Sequence, residues 1–375
     1  MRTLMKWQKI LRESYADGRE VAELLGLEGA EAERLQKIAE VYPVLTNSYY
    51  MSLIDRDDPE DPIRKMSIPS GWEMEDGGAE DTSGEASNTV LPGMQHKYRQ
   101  TALILSTDLC AMYCRHCFRK RLVGLASGEA VGNITEQAAY VQQHNEITNV
   151  LISGGDAFLN SNGRIEQYLQ AFTAIDHLDF IRFGTRTPVV IPQRISEDGE
   201  LQRLLMKYGC EKQIYVVTQF NHPREVTPEA MEAVRALVAC GVAVRNQTVL
   251  LAGVNDDPMV LAELLRRLTT INVQPYYIFQ CRPVRGVHNH FQVPLLEGCR
   301  IVDAAKGLQN GQGKTVRYVM SHPTGKIEIL GEIEPGRMLF KYHQAKHAED
   351  AARIFGRTLD AEQTWLGEDE VVSDK

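Results

Sequence analysis

The chain has 375 residues, which allows two or three domains at ~100–200 residues each, or one α/β barrel with additions. Its 41 Lys+Arg against 50 Asp+Glu give a net charge of −9, which argues against a nucleic-acid protein and its basic stripe. With 43% hydrophobic and 24% charged residues the composition is globular; no window approaches the ~20 apolar residues of a membrane span, and the polar stretch Met1–Glu13 does not read as a secretory signal.

Residues 1 to about 50 read as helices, because Trp7, Ile10 and Leu11 share one face at helical spacing, as do Leu35, Ile38 and Ala39. Residues 55–93 change character. Asp57-Asp58-Pro59 and Asp61-Pro62 are turn chemistry, and Glu73 to Ser87 is acidic and Gly-rich, which reads as a solvated surface connection. From Thr101 short apolar runs recur at Ala102–Leu105, Asn149–Ile152, Phe180–Phe183, Gln213–Val217, Ala243–Leu251 and Pro275–Phe279. Amphipathic stretches such as Pro228–Ala239 and Met259–Leu268 lie between them. Strands alternating with helices imply βαβ units and a parallel sheet, either open or a partial barrel, with chemistry at the carboxyl ends of the strands. Beyond Lys314 the pattern predicts a strand pair, Val316–Met320 and Ile327–Leu330, then a helix around His343–Phe355 and a frayed acidic tail from Gly367. This divides the chain into a helical region with its linker (1–95), the α/β region (96–300) and an extension (301–375).

The seven cysteines are an odd number, and three lie within eight positions. A disulfide framework would spread them in pairs, so a reducing, cytoplasmic setting and a clustered metal site fit better. Cys110, Cys114 and Cys117 form C-x3-C-x2-C directly after the first strand of the α/β region. Three thiolates on one loop can hold three irons of a [4Fe–4S] cluster and leave the fourth open for another ligand. Zinc competes only if His116 completes four ligands, which its place beside Cys117 makes awkward. Cys210, Cys240, Cys281 and Cys299 are scattered and read as core residues. The next strand, Val150-Leu-Ile-Ser153-Gly154-Gly155-Asp156, ends in two glycines, which let a ligand approach the backbone or simply make a turn.

C-x3-C-x2-C is the signature of the radical SAM superfamily, and the longer motifs resemble lysine 2,3-aminomutase and its relatives. The matching stretches are Asp61-Pro-Ile-Arg-Lys, Cys114-Arg-His-Cys-Phe-Arg-Lys-Arg121, Leu151-Ile-Ser-Gly-Gly-Asp-Ala157 and Gly184-Thr-Arg-Thr-Pro-Val-Val-Ile-Pro-Gln-Arg194. They continue with Phe220-Asn-His-Pro-Arg-Glu-Val-Thr227, Asn246-Gln-Thr-Val-Leu-Leu-Ala-Gly-Val-Asn255 and Pro275-Tyr-Tyr-Ile-Phe-Gln-Cys281. The resemblance implies a partial (β/α)6 radical SAM barrel with an N-terminal helical and a C-terminal strand/helix extension. It implies a [4Fe–4S] cluster, S-adenosylmethionine and pyridoxal 5′-phosphate (PLP), an amino-acid substrate, and a reductant such as flavodoxin or ferredoxin. Ser153, Gly154, Gly155, Asp156, His222 and Gln247 would line the S-adenosylmethionine site, with Asn221 and Asn246 nearby. Lys326 would hold PLP as an imine, Arg115 would contact its phosphate, and Arg119 would grip the substrate α-carboxylate with its planar fork.

Three departures from the family pattern shape the expectation. Where lysine-specific enzymes place two aspartates for the distal amino group, this chain has Arg282, with Arg285 close behind, and Ser321. That inverts the charge, disfavours lysine, and favours an acidic substrate such as glutamate or aspartate. A different radical reaction on the same scaffold, without PLP, or a lysine or peptidyl-lysine substrate are the alternatives. Two phosphate-contacting arginines correspond to Lys97 and Thr101, with Arg99 in a position to compensate, and a cofactor-facing tyrosine corresponds to Phe279. No cysteine follows Cys299, so the family's interface zinc is not expected and any homo-oligomer must be held otherwise.

Overall fold

A computed structural model describes residues 4–122, 124, 130 and 132–371. Twelve strands form one sheet whose order follows the chain. β1 (Thr89–Leu91), β2 (Met94–Tyr98) and β3 (Thr101–Leu105) pair with one another antiparallel in that order. From β3 the sheet is parallel through β4 (Asn149–Ser153), β5 (Phe180–Gly184), β6 (Gln213–Thr218), β7 (Ala243–Leu250), β8 (Gln274–Gln280) and β9 (Arg317–His322). β10 (Gly325–Glu334), β11 (Arg337–Ala345) and β12 (Ile354–Thr358) return it to antiparallel pairing. Each strand from β3 to β8 is followed by a crossover helix: Ile134–Gln143, Asn162–Thr173, Gly199–Gly209, Pro228–Ala239, Pro258–Thr270 and Leu295–Gly307. Parallel pairing demands such crossovers, and six of them make the partial (β/α)6 barrel expected from the motifs. The mixed α/β class therefore holds.

Local chemistry explains where these helices begin. Asn133, Ser161, Asp198, Thr227 and Asp257 each accept N–H bonds of the first helical turn through their side chains. The helix Leu295–Gly307 lacks such a cap, and its first N–H donates instead to the Gln363 carbonyl at 2.8 Å. The boundary read at 300/301 thus falls inside a helix. Burial alternates along the barrel strands: in β5, Ile181 and Phe183 pack into the helical layer while Phe180, Arg182 and Gly184 take the other face. Among the described residues no helix is long and apolar enough to cross a membrane.

The N-terminal helices do not form a core of their own. Val21, Leu35, Tyr50, Met51, Ile63 and Met66 belong to the same apolar cluster as Ile104, Ile152 and Phe183. They also brace the cysteine loop: Asn47 Nδ2 donates to the carbonyls of Ala111 and Val190, Tyr113 N–H to Leu45, and Arg115 N–H to Met66.

Four local expectations need correction, the first being Cys210, which caps the helix Gly199–Gly209 and is exposed instead of lying in the core. No helix forms over His343–Phe355; β11 runs to Ala345, a short 3-10 turn spans Ala348–Asp350, and β12 follows. The alternating burial of Met338, Phe340 and Tyr342 is a strand pattern that the polar His343-Gln-Ala-Lys-His-Ala segment masked. The extension is therefore a strand meander without the helix. The tail is packed as far as Val371, which is 1% exposed and accepts from Arg353. The stretch 73–87 is solvated only in part: residues 74–80 are exposed, but Glu73 and Glu85 turn inward and are only 2% and 3% exposed.

Candidate active site

The cysteine loop leaves the C-terminal end of β3 and lies directly against the end of β4. Gly155 N–H donates to the Thr107 carbonyl and Asp156 N–H to the Leu109 carbonyl, both at 2.7 Å. A Cβ on Gly154 would meet the Thr107 oxygen at 2.2 Å, and one on Gly155 the Leu109 oxygen at 2.3 Å. The glycine pair therefore answers first to the close approach of the loop backbone, not only to a ligand. Ser153 pins the loop through its carbonyl, which accepts from Ser106.

Cys110, Cys114 and Cys117 are free thiols within electrostatic reach of one another. Burial, then neighbouring Cys114, pushes Cys117 up to about 11, and burial, then Cys117, raises Cys110 as well. Crowded, desolvated thiols disfavour the free anions and suit ligands to a cationic centre, so the donor set fits an iron–sulfur cluster. His116 does not join them: its Nε2 faces Asn221 Nδ2 at 3.1 Å, and burial drives it down to about 3.

Several residues expected around S-adenosylmethionine act as fasteners. Asp156 accepts from Thr185 Oγ1 at 2.5 Å, Arg186 N–H at 2.7 Å and Phe158 N–H at 3.0 Å; burial raises it to about 6. Asn246 ties Phe220, and Asn221 accepts from Val249 N–H. His222 Nδ1 accepts from Arg224 N–H, and burial lowers its pKa. Gln247 lies on the half-buried face of β7 and bridges to β8 at Tyr277 in the sheet register.

The two arginines of the cysteine loop meet carboxylates from the supposed linker. Arg115 forks onto Glu73, with Nε–Oε1 at 2.9 Å and Nη2–Oε2 at 2.5 Å, and also donates to the carbonyls of Pro43 and Tyr42. Lys120 closes on the same carboxylate at 2.5 Å. Arg119 Nε donates to Glu85 Oε1 and Arg121 to Oε2, both at 2.8 Å. Although burial opposes ionisation, Arg119 and Arg121 hold Glu85 down to about 2. Neither glutamate was singled out in the sequence, because runs of Gly, Asp and Glu ordinarily signal a solvated face.

Across the barrel, β8, β9 and β10 assemble a second group. Lys326 stands opposite Ser321 in the β9–β10 pair. Gly325 before it lies so close to β11 that a Cβ would meet the Gln344 oxygen at 2.4 Å. The Lys326 amine sits 4.3 Å from the Tyr277 ring centroid, 5.7 Å from Phe279 and 6.0 Å from Tyr98. Burial, then Arg182, Arg282 and Lys97, lowers it to about 7. Arg282 does not point to solvent: Nη2 donates to Ser321 Oγ at 2.8 Å and the guanidinium lies 4.3 Å over Phe118. Its Nη1 is buried without a partner. Arg285, by contrast, is exposed and pairs with Glu80 at 3.0 Å.

PLP can be tested against these residues. The amine end fits: a lysine with a lowered pKa, aromatic walls and a cationic surround suit an aldehyde that carries a phosphate. At the phosphate end Arg115 is ion-paired with Glu73 and spends two more donors on the Pro43 and Tyr42 carbonyls, Arg99 is exposed at the β2–β3 turn, and Thr101 pairs with Asn149. Lys97, lowered to about 7 by burial and then Arg282, donates to His322 O at 2.7 Å and Ser83 O at 3.3 Å, which leaves one of its three N–H donors. The donor set fits PLP through Lys326 and Lys97, not through Arg115.

A (β/α)6 half-barrel with the three cysteines of the C-x3-C-x2-C loop at the mouth of its first strand is the arrangement of a radical SAM enzyme, a class that implies a [4Fe–4S] cluster and S-adenosylmethionine. No protein-family model matches it. It is 40% identical over 299 residues to an L-lysine 2,3-aminomutase of Fusobacterium nucleatum, covering 79% of this chain and 68% of that one. It is 37% identical over 308 residues to the L-lysine 2,3-aminomutase of Clostridium subterminale (81% and 73%). It is 36% identical over 322 residues to the glutamate 2,3-aminomutase of Clostridioides difficile (85% and 74%). Among solved structures, a radical SAM methyltransferase from Sphaerobacter thermophilus matches with TM-score 0.40 and 17% identity over 60% of this chain and 68% of that one. The chain belongs to the lysine 2,3-aminomutase family: it is a radical SAM isomerase of the 2,3-aminomutase type.

Proposed function

We propose that the substrate is an acidic α-amino acid, glutamate or aspartate, whose amino group moves to the β-carbon. The observation that carries this is the Arg282 guanidinium, with its Nη1 buried and unpartnered between Phe118 and Ser321. An unpaired buried donor is costly, and a side-chain carboxylate would satisfy it, while a lysine ammonium would meet a like charge. The glutamate 2,3-aminomutase relative supports the same choice.

In this reading Arg119, oriented by Glu85 at 2.8 Å, grips the substrate α-carboxylate. S-adenosylmethionine on the cluster supplies the hydrogen-abstracting radical, fed by a low-potential donor such as flavodoxin or ferredoxin, and PLP supplies the ring that spreads the unpaired electron. Lys326 would hold PLP, Lys97 would face its phosphate, and Tyr277 and Phe279 would keep water from the amine.

An anaerobic assay with glutamate, aspartate and lysine, scored for β-amino products, tests the proposal. The expected result is a product from glutamate or aspartate and none from lysine; a faster product from lysine overturns it. One observation favours a second reading, a PLP-independent radical reaction on the same anionic substrate: Glu73 forks onto Arg115 and neutralises it. Visible absorbance of bound PLP that disappears with borohydride and in Lys326→Ala would reject that reading.

A further inference from the structure

Arg186 begins the short segment after β5 and reaches the cysteine loop. Its Nη1 donates to Cys114 Sγ at 2.9 Å. Among the described residues, this is the side-chain hydrogen bond that reaches a thiol of the C-x3-C-x2-C loop, which makes Cys114 unlike Cys110 and Cys117. The guanidinium cannot swing away. Nε donates to the Gln219 carbonyl at 3.0 Å, and Nη2 to Glu225 Oε1 at 2.5 Å and to Tyr50 Oη at 3.3 Å. Its backbone N–H is fixed by Asp156 at 2.7 Å. Glu225 is fixed in turn, accepting the Tyr50 hydroxyl at 2.7 Å and the N–H groups of Asn221 at 2.6 Å and His222 at 3.0 Å. Arg186, Glu225 and Tyr50 are all buried.

We infer that Arg186 is a positioning residue that holds the Cys114 thiolate and sets the reduction potential of the cluster, with Glu225 linking it to the 221–222 loop. The inference rests on the three cysteines being the cluster ligands. When the cluster accepts one electron, its core passes from 2+ to 1+, no bond to the protein forms or breaks, and negative charge grows on its sulfurs. A charge-assisted hydrogen bond to one of those sulfurs stabilises the reduced form more than the oxidised form, which raises the potential. Glu225 moderates the effect by sharing the arginine's charge. The Phe220–Thr227 and Gly184–Arg194 motifs contain both residues, and neither motif's resemblance assigned them a role.

The test is a potentiometric titration of the full-length, anaerobically reconstituted protein, followed by electron paramagnetic resonance of the reduced cluster. Arg186→Gln should lower the reduced fraction at a fixed potential at least tenfold, equivalent to ~59 mV for a one-electron couple. Arg186→Lys, which keeps the charge but loses the fork, should fall between Arg186→Gln and the wild type. Arg186→Met/Glu225→Leu removes both buried charges together, so no carboxylate is stranded, and it should show a downward shift smaller than that of Arg186→Gln, which leaves the Glu225 charge behind. Variants that carry a full cluster and titrate with the wild type overturn the inference. A wild-type protein that takes up iron but no [4Fe–4S] cluster would instead refute the cluster assignment beneath it.

Discussion

Among the described residues every buried cation around the cysteine loop is ion-paired with a carboxylate, whereas around Lys326 none is. Glu73 pairs with Arg115 and Lys120, Glu85 with Arg119 and Arg121, and Glu225 with Arg186. On the other side Lys326, Lys97, Arg182 and Arg282 contact rings, carbonyls, Ser321 and the side chain of Asn149, and the carboxylates of Glu85 and Asp81 reach Arg282 and Lys97 through space without pairing with them. Both regions lie in low dielectric, where an unmatched charge is expensive. The paired side can therefore serve as scaffold for a loop that must keep its shape, while the unpaired side stores a cost that an incoming anion relieves. The global charge of −9 conceals this division.

The largest effect should come from breaking the paired side. Glu73→Ala strands two buried cations, Arg115 and Lys120, and should cost ~3–5 kcal/mol in urea unfolding. A loss below 1 kcal/mol would mean that water reaches these cations and that the 73–87 segment is not part of the scaffold.

On the unpaired side the sign reverses. Lys326→Met should abolish turnover yet stabilise the cofactor-free protein by ~2 kcal/mol at pH 6, because it removes a desolvated amine of similar size. The gain depends on pH. Lys326 has a folded pKa of about 7 against 10.5 for the free side chain. Below pH 7 both folded and unfolded chains carry the proton, and the folded state bears the full penalty. Between about 7 and 10.5 the unfolded chain holds the proton and the folded chain does not, so wild-type stability rises with pH and the variant's advantage shrinks toward zero. Thermal unfolding across that range checks it; a variant less stable than wild type at pH 6 would contradict the stored cost.

What could be read from the sequence follows the same boundary. The six barrel strands, the β9–β10 pair and the loop that carries the three cysteines were legible, because each is written in local periodicity or in a contiguous motif. The roles of Glu73 and Glu85 were not, because a glutamate in a Gly-rich acidic run looks the same whether it ends in water or on an arginine dozens of residues away. The β-meander after β10 was missed for a related reason: Tyr342 and Phe355 pack together across a polar loop, and their ring contact at 5.9 Å appears only after folding. Arg186 and Glu225 stood inside quoted motifs but needed coordinates to be connected to Cys114.

The smallest effect tests the unpaired side without turnover. Glutarate, a dicarboxylate lacking the amino group, should bind near Arg282 and stabilise the protein, whereas cadaverine, a diamine of equal length, should not. At a free concentration ten times its Kd, a ligand that binds only the folded state adds about 1.4 kcal/mol. The stabilisation should disappear in Arg282→Asp, which installs a carboxylate where the ligand's would sit, and should persist in a variant of the exposed Arg285, whose partner Glu80 already faces solvent. Equal stabilisation by both compounds, or glutarate binding that survives Arg282→Asp, would move the anion site away from Arg282 and leave Lys97 and Arg182 as the cations to which it must be reassigned.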